Sequence, residues 1–216
     1  MGIFRNIPGL KDIGSIGIAN IAGSGISGLF WIYLASLLGE ENYGELGFYI
    51  SIASVATSIS FVGGPMAITV LVAKKIKIES TIYLLSLSTS FISAIVLYFT
   101  FANIGLSIYV LGAVIYNLSV SELLGRKAYG KYSIYFVLQK VLFVILALVL
   151  YYLIGPEGVL VGIGLSFIPF VSQIYSGFKN QSIDFGLLKT KWKFITNNFF
   201  IDLSIILNNQ IDRLII

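Results

Sequence analysis

Chemistry needs side chains that can hold a proton, an electron pair or a metal ion, and this chain carries few. It has no His and no Cys. That removes the commonest general base, the commonest zinc ligand and all thiolate and disulfide chemistry. No D-x-D or D-x-x-D pair occurs, so the acidic metal cluster of a membrane-embedded glycosyl- or phosphotransferase is missing. Neither a catalytic constellation nor a metal site is legible, and no cofactor is called for. What remains is a handful of ionisable groups set in apolar sequence: Lys140, Asp202, Asp212 and Arg213, with Glu122 at the edge of such a run. Charges at membrane depth are costly and generally face a cavity or a partner. Lys140 has Phe136, Phe143 and Val144 at one-turn spacing and no carboxylate among them. Either its ammonium lines a polar cavity, where it would meet an anion as a point charge, or it snorkels back to the interface. Glu122 is one turn from Arg126, the spacing of a local ion pair. Asp212 and Arg213 are adjacent, cannot share a helix face and read as interfacial.

The elements that hold these groups follow from composition. Of 216 residues 57% are hydrophobic and 11% charged, with a mean hydropathy of +0.92. Soluble domains carry about 25% charged residues, so a soluble enzyme is excluded. The net charge of +4 does not imply nucleic acid, because membrane proteins concentrate Lys and Arg on cytoplasmic loops. Seven stretches are long and apolar enough to cross a bilayer as helices: Ile13–Leu38, Leu46–Ala73, Thr81–Phe101, Gly105–Leu124, Tyr132–Ile154, Gly158–Ser176 and Phe194–Ile216. They are too uniformly apolar for barrel strands, which alternate with period two. The fold class is an all-α integral membrane protein. The seventh stretch reaches Ile216 without a polar cap, which reads as a fragment boundary.

Charge placement predicts topology. Arg5 and Lys11 precede the first span, Lys74, Lys75 and Lys77 follow the second, Arg126, Lys127 and Lys131 follow the fourth, and Lys179, Lys189, Lys191 and Lys193 follow the sixth. The opposite connections, Gly39–Glu45, Ala102–Ile104 and Gly155–Glu157, hold no Lys or Arg. The positive-inside bias therefore expects a cytoplasmic N-terminus in a multi-pass cell-membrane protein. Residues 1–12 do not read as a cleavable signal; Ile3–Leu10 suits a short interfacial helix.

Two features of the spans bear on motion and substrate. Gly17, Asn20, Ser24 and Gly28 share a face of the first span, and Ser51, Ser54 and Ser58 share one of the second. Small and polar faces make close helix seams or line a polar cavity, and one face can do both; Asn20 and Ser24 are accordingly candidate substrate-binding residues beside Lys140. Gly63-Gly64-Pro65 late in the second span, and Pro169 in the sixth, predict a kink or break. The Gly63, Gly64 and Pro65 segment is the candidate conformational element.

The stretch Leu34-Ala35-Ser36-Leu37-Leu38-Gly39-Glu40-Glu41-Asn42-Tyr43-Gly44-Glu45-Leu46-Gly47 resembles the first outer loop of the polysaccharide flippases, a family of the multidrug/oligosaccharidyl-lipid/polysaccharide exporter superfamily. The Gly63-Gly64-Pro65 ending, the basic loop Gly125-Arg126-Lys127-Ala128-Tyr129-Gly130-Lys131 and Gln210-Ile211-Asp212-Arg213-Leu214-Ile215-Ile216 resemble later parts of the same pattern. The resemblance implies two repeat-related six-helix bundles. Residues 1–12 would then be an interfacial segment, 13–193 the first bundle with its cytoplasmic linker, and 194–216 the opening helix of the second.

It also implies a function: moving a lipid-linked oligosaccharide or polysaccharide precursor of polyprenyl diphosphate type between leaflets by alternating access. The partners are then the bilayer, that glycan lipid and, optionally, a coupling cation. The runner-up is a cation-coupled multidrug exporter of the same superfamily, which tends to need an acidic residue at mid-membrane depth in the first bundle; none is evident in spans one to six. A membrane-embedded glycosyltransferase lacks its metal cluster, and a structural scaffold has no positive sign.

Overall fold

The computed structural model describes residues 10–214, with side chains over 14–209. The expectations for Ile3–Leu10, Arg5, Lys11, Asp212 and Arg213 fall outside those limits. In chain order the elements are α1 (Leu10–Phe61), α2 (Gly64–Ala73), α3 (Glu79–Phe101), α4 (Ile104–Gly125), α5 (Tyr129–Ile154), α6 (Glu157–Leu165), a 3-10 turn at Ile168–Phe170, α7 (Val171–Asn180) and α8 (Phe185–Leu214). No strand occurs among the described residues. Helices are what such sequence must form in hydrocarbon, since each satisfies its own backbone hydrogen bonds.

The first two expected spans are continuous in helix α1, interrupted only at Gly39, whose φ of 73° lies in the left-handed region. The connection 39–45, expected as an open loop, is helical apart from that glycine. A straight helix over Gly14–Phe61, 48 residues long, would extend about 72 Å, more than twice the hydrocarbon thickness. The chain instead folds back. Ser15 bonds Ser133 at 3.0 Å and the Tyr151 hydroxyl donates to the Leu37 carbonyl at 3.4 Å, so the first arm runs beside α5 in the same direction. Tyr49 and Phe101 rings lie 6.1 Å apart while Thr89 donates to the Ser60 carbonyl, so the second arm runs antiparallel to α3. Trp31 and Tyr43, either side of the turn, bring their rings to 6.3 Å.

Five helical stretches are long and apolar enough to cross a membrane: Gly14–Phe61, Glu79–Phe101, Ile104–Gly125, Tyr129–Ile154 and Glu157–Asn180. The doubled first stretch makes two passes. Over its described residues α8 is not among them, and it starts at Phe185 rather than Phe194, taking Lys189, Lys191 and Lys193 into the helix. Glycines set the tightest seam. A Cβ on Gly162 would stand 2.5 Å from the Ala147 nitrogen, and one on Gly112 would stand 2.5 Å from the Gly164 carbonyl oxygen. Helix α6 therefore packs backbone to backbone against α5 and α4, the close approach that small residues permit in membranes. Large apolar side chains such as Ile21 (77% exposed) and Phe99 (81% exposed) point outward, as a lipid-facing surface requires.

The pairings sort the charges by end. Lys75, Lys77, Arg126 and Lys127 gather around one cleft, and Thr81 accepts from the Asp184 amide beside it at 2.8 Å, bringing the α7–α8 linker to the same end. Glu45, Asn103, Pro156 and Glu157 meet in a separate cleft at the opposite end. The native chain has no Cys, so single cysteines report sidedness cleanly. An impermeant maleimide should label Asn42→Cys in intact cells, and Lys75→Cys or Lys127→Cys only after permeabilisation. Labelling of Lys75→Cys in intact cells would invert the topology.

Candidate functional site

Lys140 sits eleven residues into the 26-residue helix α5, well inside the apolar layer. Its stem crosses Gly23 of α1: a Cβ there would lie 3.2 Å from Lys140 Cγ and 2.4 Å from Phe136 Cε1. The absent side chain of Gly23 is thus the slot in which Lys140 and Phe136 lie. The ammonium stands 5.4 Å from the Phe136 ring centre and 5.8 Å from that of Phe143, one turn below and one turn above. Two ring faces offer cation–π attraction there, and Lys140 has no ion-pair partner among the described residues. The side chain therefore remains at the depth of its own helix turn and does not extend to the basic end.

Two polar pairs lie elsewhere on α5, one against α1 and one against the end of α6. Asn20 Oδ1 accepts from the Tyr132 hydroxyl at 3.1 Å, and buried Gln139 donates to Ser166 at 3.0 Å while its Oε1 accepts nothing. Ser24 follows Gly23 directly and is exposed. Of the two readings of the face through Gly17, Asn20, Ser24 and Gly28, the close helix seam is not what forms over its whole length. The packed face of the first arm runs through Ala19, Gly23, Phe30, Leu34 and Leu38, while Ser24 and Gly28 are open and a Cβ on Gly17 or Gly28 would meet nothing within 4 Å. Large apolar residues facing α5 set that face, leaving the small polar stripe on its margin. In the second arm Ser51 and Ser58 are buried in the seam as expected, and Ser54 is half-buried.

The break at Gly63-Gly64-Pro65 is present. Gly63 has φ 75°, and a Cβ on it would lie 2.1 Å from the Ile195 carbonyl oxygen of α8. Only glycine meets both demands, the left-handed backbone and the close crossing. Pro65 has no N–H for the Phe61 carbonyl, and the turn likewise leaves that of Ser60 without its helical donor. Helix α3 supplies replacements: Ser86 Oγ donates to the Phe61 carbonyl at 2.9 Å and Thr89 Oγ1 to the Ser60 carbonyl at 2.6 Å. In the sixth span the helix also breaks at the expected Pro169, into α6, the 3-10 turn and α7, and Ser119 donates to the Phe170 carbonyl at 3.2 Å.

At the basic end, the expected Glu122–Arg126 pair forms at 2.7 Å. It belongs to a larger network that no local spacing signals. Arg126 also reaches buried Glu79 at 3.1 Å, and Glu122 Oε2 accepts from the Tyr83 hydroxyl at 2.5 Å and from Gln173 at 3.2 Å. Partners 39 to 51 residues from Glu122 in sequence carry no local signature. Among the described residues no cluster of His, Cys, Asp and Glu could hold a metal ion.

Comparison with known proteins agrees with this architecture. No family model matches the chain, and no curated protein does. A crystal structure of a point mutant of a MATE (multidrug and toxic compound extrusion) transporter superposes with a TM-score of 0.54 at 22% identity. The chain shares that transporter's membrane-helical fold. The match covers 84% of this chain and 48% of the transporter, so the chain spans about half its length.

The break yields a measurable consequence. Ser86→Ala or Thr89→Val leaves a carbonyl short of its donor in an apolar setting, which costs about 1–3 kcal/mol. Each variant should lower the thermal unfolding midpoint in detergent, and the pair together more than either. Unchanged midpoints would mean that the break satisfies its carbonyls without α3.

Proposed function

We propose that this chain is part of a membrane transporter that flips lipid-linked oligosaccharide or polysaccharide precursors, with its basic end in the cytoplasm. The observation that carries the reading is Lys140: an unpaired ammonium kept at mid-membrane depth by Gly23, Phe136 and Phe143. A sugar diphosphate cannot cross hydrocarbon unaided, because burying an unpartnered charge is prohibitive. A fixed cation beside an open stripe of small polar residues, Asn20 and Ser24 among them, lowers that barrier for a diphosphate. The second half of the cavity would come from residues beyond this bundle, in keeping with a chain that spans about half of its structural neighbour. Alternating access would use the break at Gly63, Gly64 and Pro65, where the α8 backbone at Ile195 lies against Gly63.

A second reading, a cation-coupled multidrug exporter, is favoured by one observation: the neighbour is named as a MATE transporter. Against it, the carboxylates Glu79 and Glu122 both engage Arg126 at the basic end and neither lies at mid-depth.

Lys140 discriminates between the two. Under the flippase reading Lys140→Gln should reduce transport by about tenfold or more, the scale of one lost charge-assisted contact, and Lys140→Arg should retain much of it. The measurement is complementation of a glycan-export defect at matched membrane abundance. Wild-type activity in the Gln variant would remove Lys140 from the site.

A further inference from the structure

Where the loops after α2 and α4 meet, the structure forms a cleft of about 480 Å³ with an unusual lining. Four cations border it, Lys75, Lys77, Arg126 and Lys127, together with Glu79 and Gln181. Arg126 is already engaged with Glu79 and Glu122. The three lysines have no carboxylate in ion-pair reach among the described residues. On the same wall are two buried acceptors without a donor: Glu79 Oε2, on a residue 2% exposed, and Gln181 Oε1.

The two loops share one construction. The Lys75 amide donates to the Val72 carbonyl and the Ile76 amide to that of Leu71; the Lys127 amide donates to the Leu124 carbonyl and the Ala128 amide to that of Leu123. Both are helix C-terminal closures of the kind that places a left-handed residue just past the helix, a position glycine normally takes. Here each holds a lysine, at φ 61° for Lys75 and 57° for Lys127. Left-handed backbone is costly for a non-glycine residue, and such strain gathers where side-chain placement matters. Gly125 seats the two helix ends together, since a Cβ there would lie 2.9 Å from the Thr69 carbonyl oxygen.

We infer that this cleft is a binding site for the headgroup of an anionic phospholipid that carries hydroxyl groups, of the phosphatidylglycerol kind. Loops joining membrane helices lie at the level of lipid phosphates, and basic pockets between membrane helices take anionic headgroups. Lys75, Lys77 and Lys127 meet the phosphate. The unengaged oxygens of Glu79 and Gln181 accept from headgroup hydroxyls, which a bare phosphate cannot offer in the same way. A zwitterionic choline headgroup has no hydroxyl donor and brings a cation toward three lysines.

The test is native mass spectrometry and thermal unfolding of the purified chain in detergent, titrated separately with phosphatidylglycerol, phosphatidylcholine and inorganic phosphate. Phosphatidylglycerol should bind about tenfold more tightly than phosphatidylcholine and raise the unfolding temperature, and millimolar inorganic phosphate should not displace it. The double variant Lys75→Gly/Lys127→Gly removes two cations and relieves both left-handed positions. It should lose the lipid preference while unfolding no earlier than the parent without lipid. Lys189→Gln/Lys191→Gln removes the same charge from α8 and should keep the preference. Equal binding of the two lipids, a preference that survives the glycine variant, or an equal loss in the α8 variant would overturn the assignment. Full displacement by inorganic phosphate would overturn the lipid as its occupant.

Discussion

Every peptide group in this molecule must find a hydrogen-bond partner without help from water over most of its length, and the architecture follows from that constraint. Long helices meet it by themselves. The interruptions do not, and the break before Pro65 is repaired from a neighbour. Ser86 and Thr89 of α3 serve the carbonyls freed before Pro65, and Ser119 of α4 serves Phe170 after Pro169. Asn103 Oδ1 accepts from the Leu106 amide at 3.2 Å and so caps the start of α4. The hydroxyls of α3 thus have a specific employment, and they explain how the helix broken at Pro65 persists inside an apolar bundle.

Close packing follows from the same setting. Lipid tails are as apolar as leucine, so helices associate through contact and polar pairing rather than through escape from water. Glycines at 112, 162 and 164 let α4, α5 and α6 touch along their backbones. Gly23 performs a different task, opening the first arm of α1 so that Lys140 and Phe136 can lie across it. An alanine at that point would push against both side chains and move the one cation that sits at mid-depth on α5.

Much of this was readable in the sequence because hydropathy, proline and net charge act locally. The first six apolar runs predicted crossings while the seventh is not apolar enough over its described residues, Gly63-Gly64-Pro65 predicted the break, and the spacing of Glu122 and Arg126 predicted their pair. What depends on a distant partner was not readable. Glu79 joins Arg126 from 47 residues away, and nothing in its own neighbourhood marks it. The stripe from Gly17 to Gly28 reads from sequence as a seam or a cavity lining, and the helix turns the face through Ala19, Gly23 and Leu34 toward α5. A helical wheel ranks faces by composition and says nothing about which one a neighbour will cover. Gly39 misled in another way: its loop-like surroundings, with three Glu and an Asn, fold as helix around a single left-handed residue.

Lys140 and its polar margin, an interrupted second span, and lysines gathered at one end are the features on which the proposed passage of an anionic headgroup rests. The most direct test is a flipping assay in proteoliposomes with a fluorescent sugar attached to a polyprenyl diphosphate. Its fluorescence is quenched by a membrane-impermeant reductant added outside. The account predicts that the fraction accessible to reductant grows with time when the protein is present, and that Lys140→Gln suppresses this growth. An accessible fraction that stays constant, in vesicles that do export an organic cation, would contradict it.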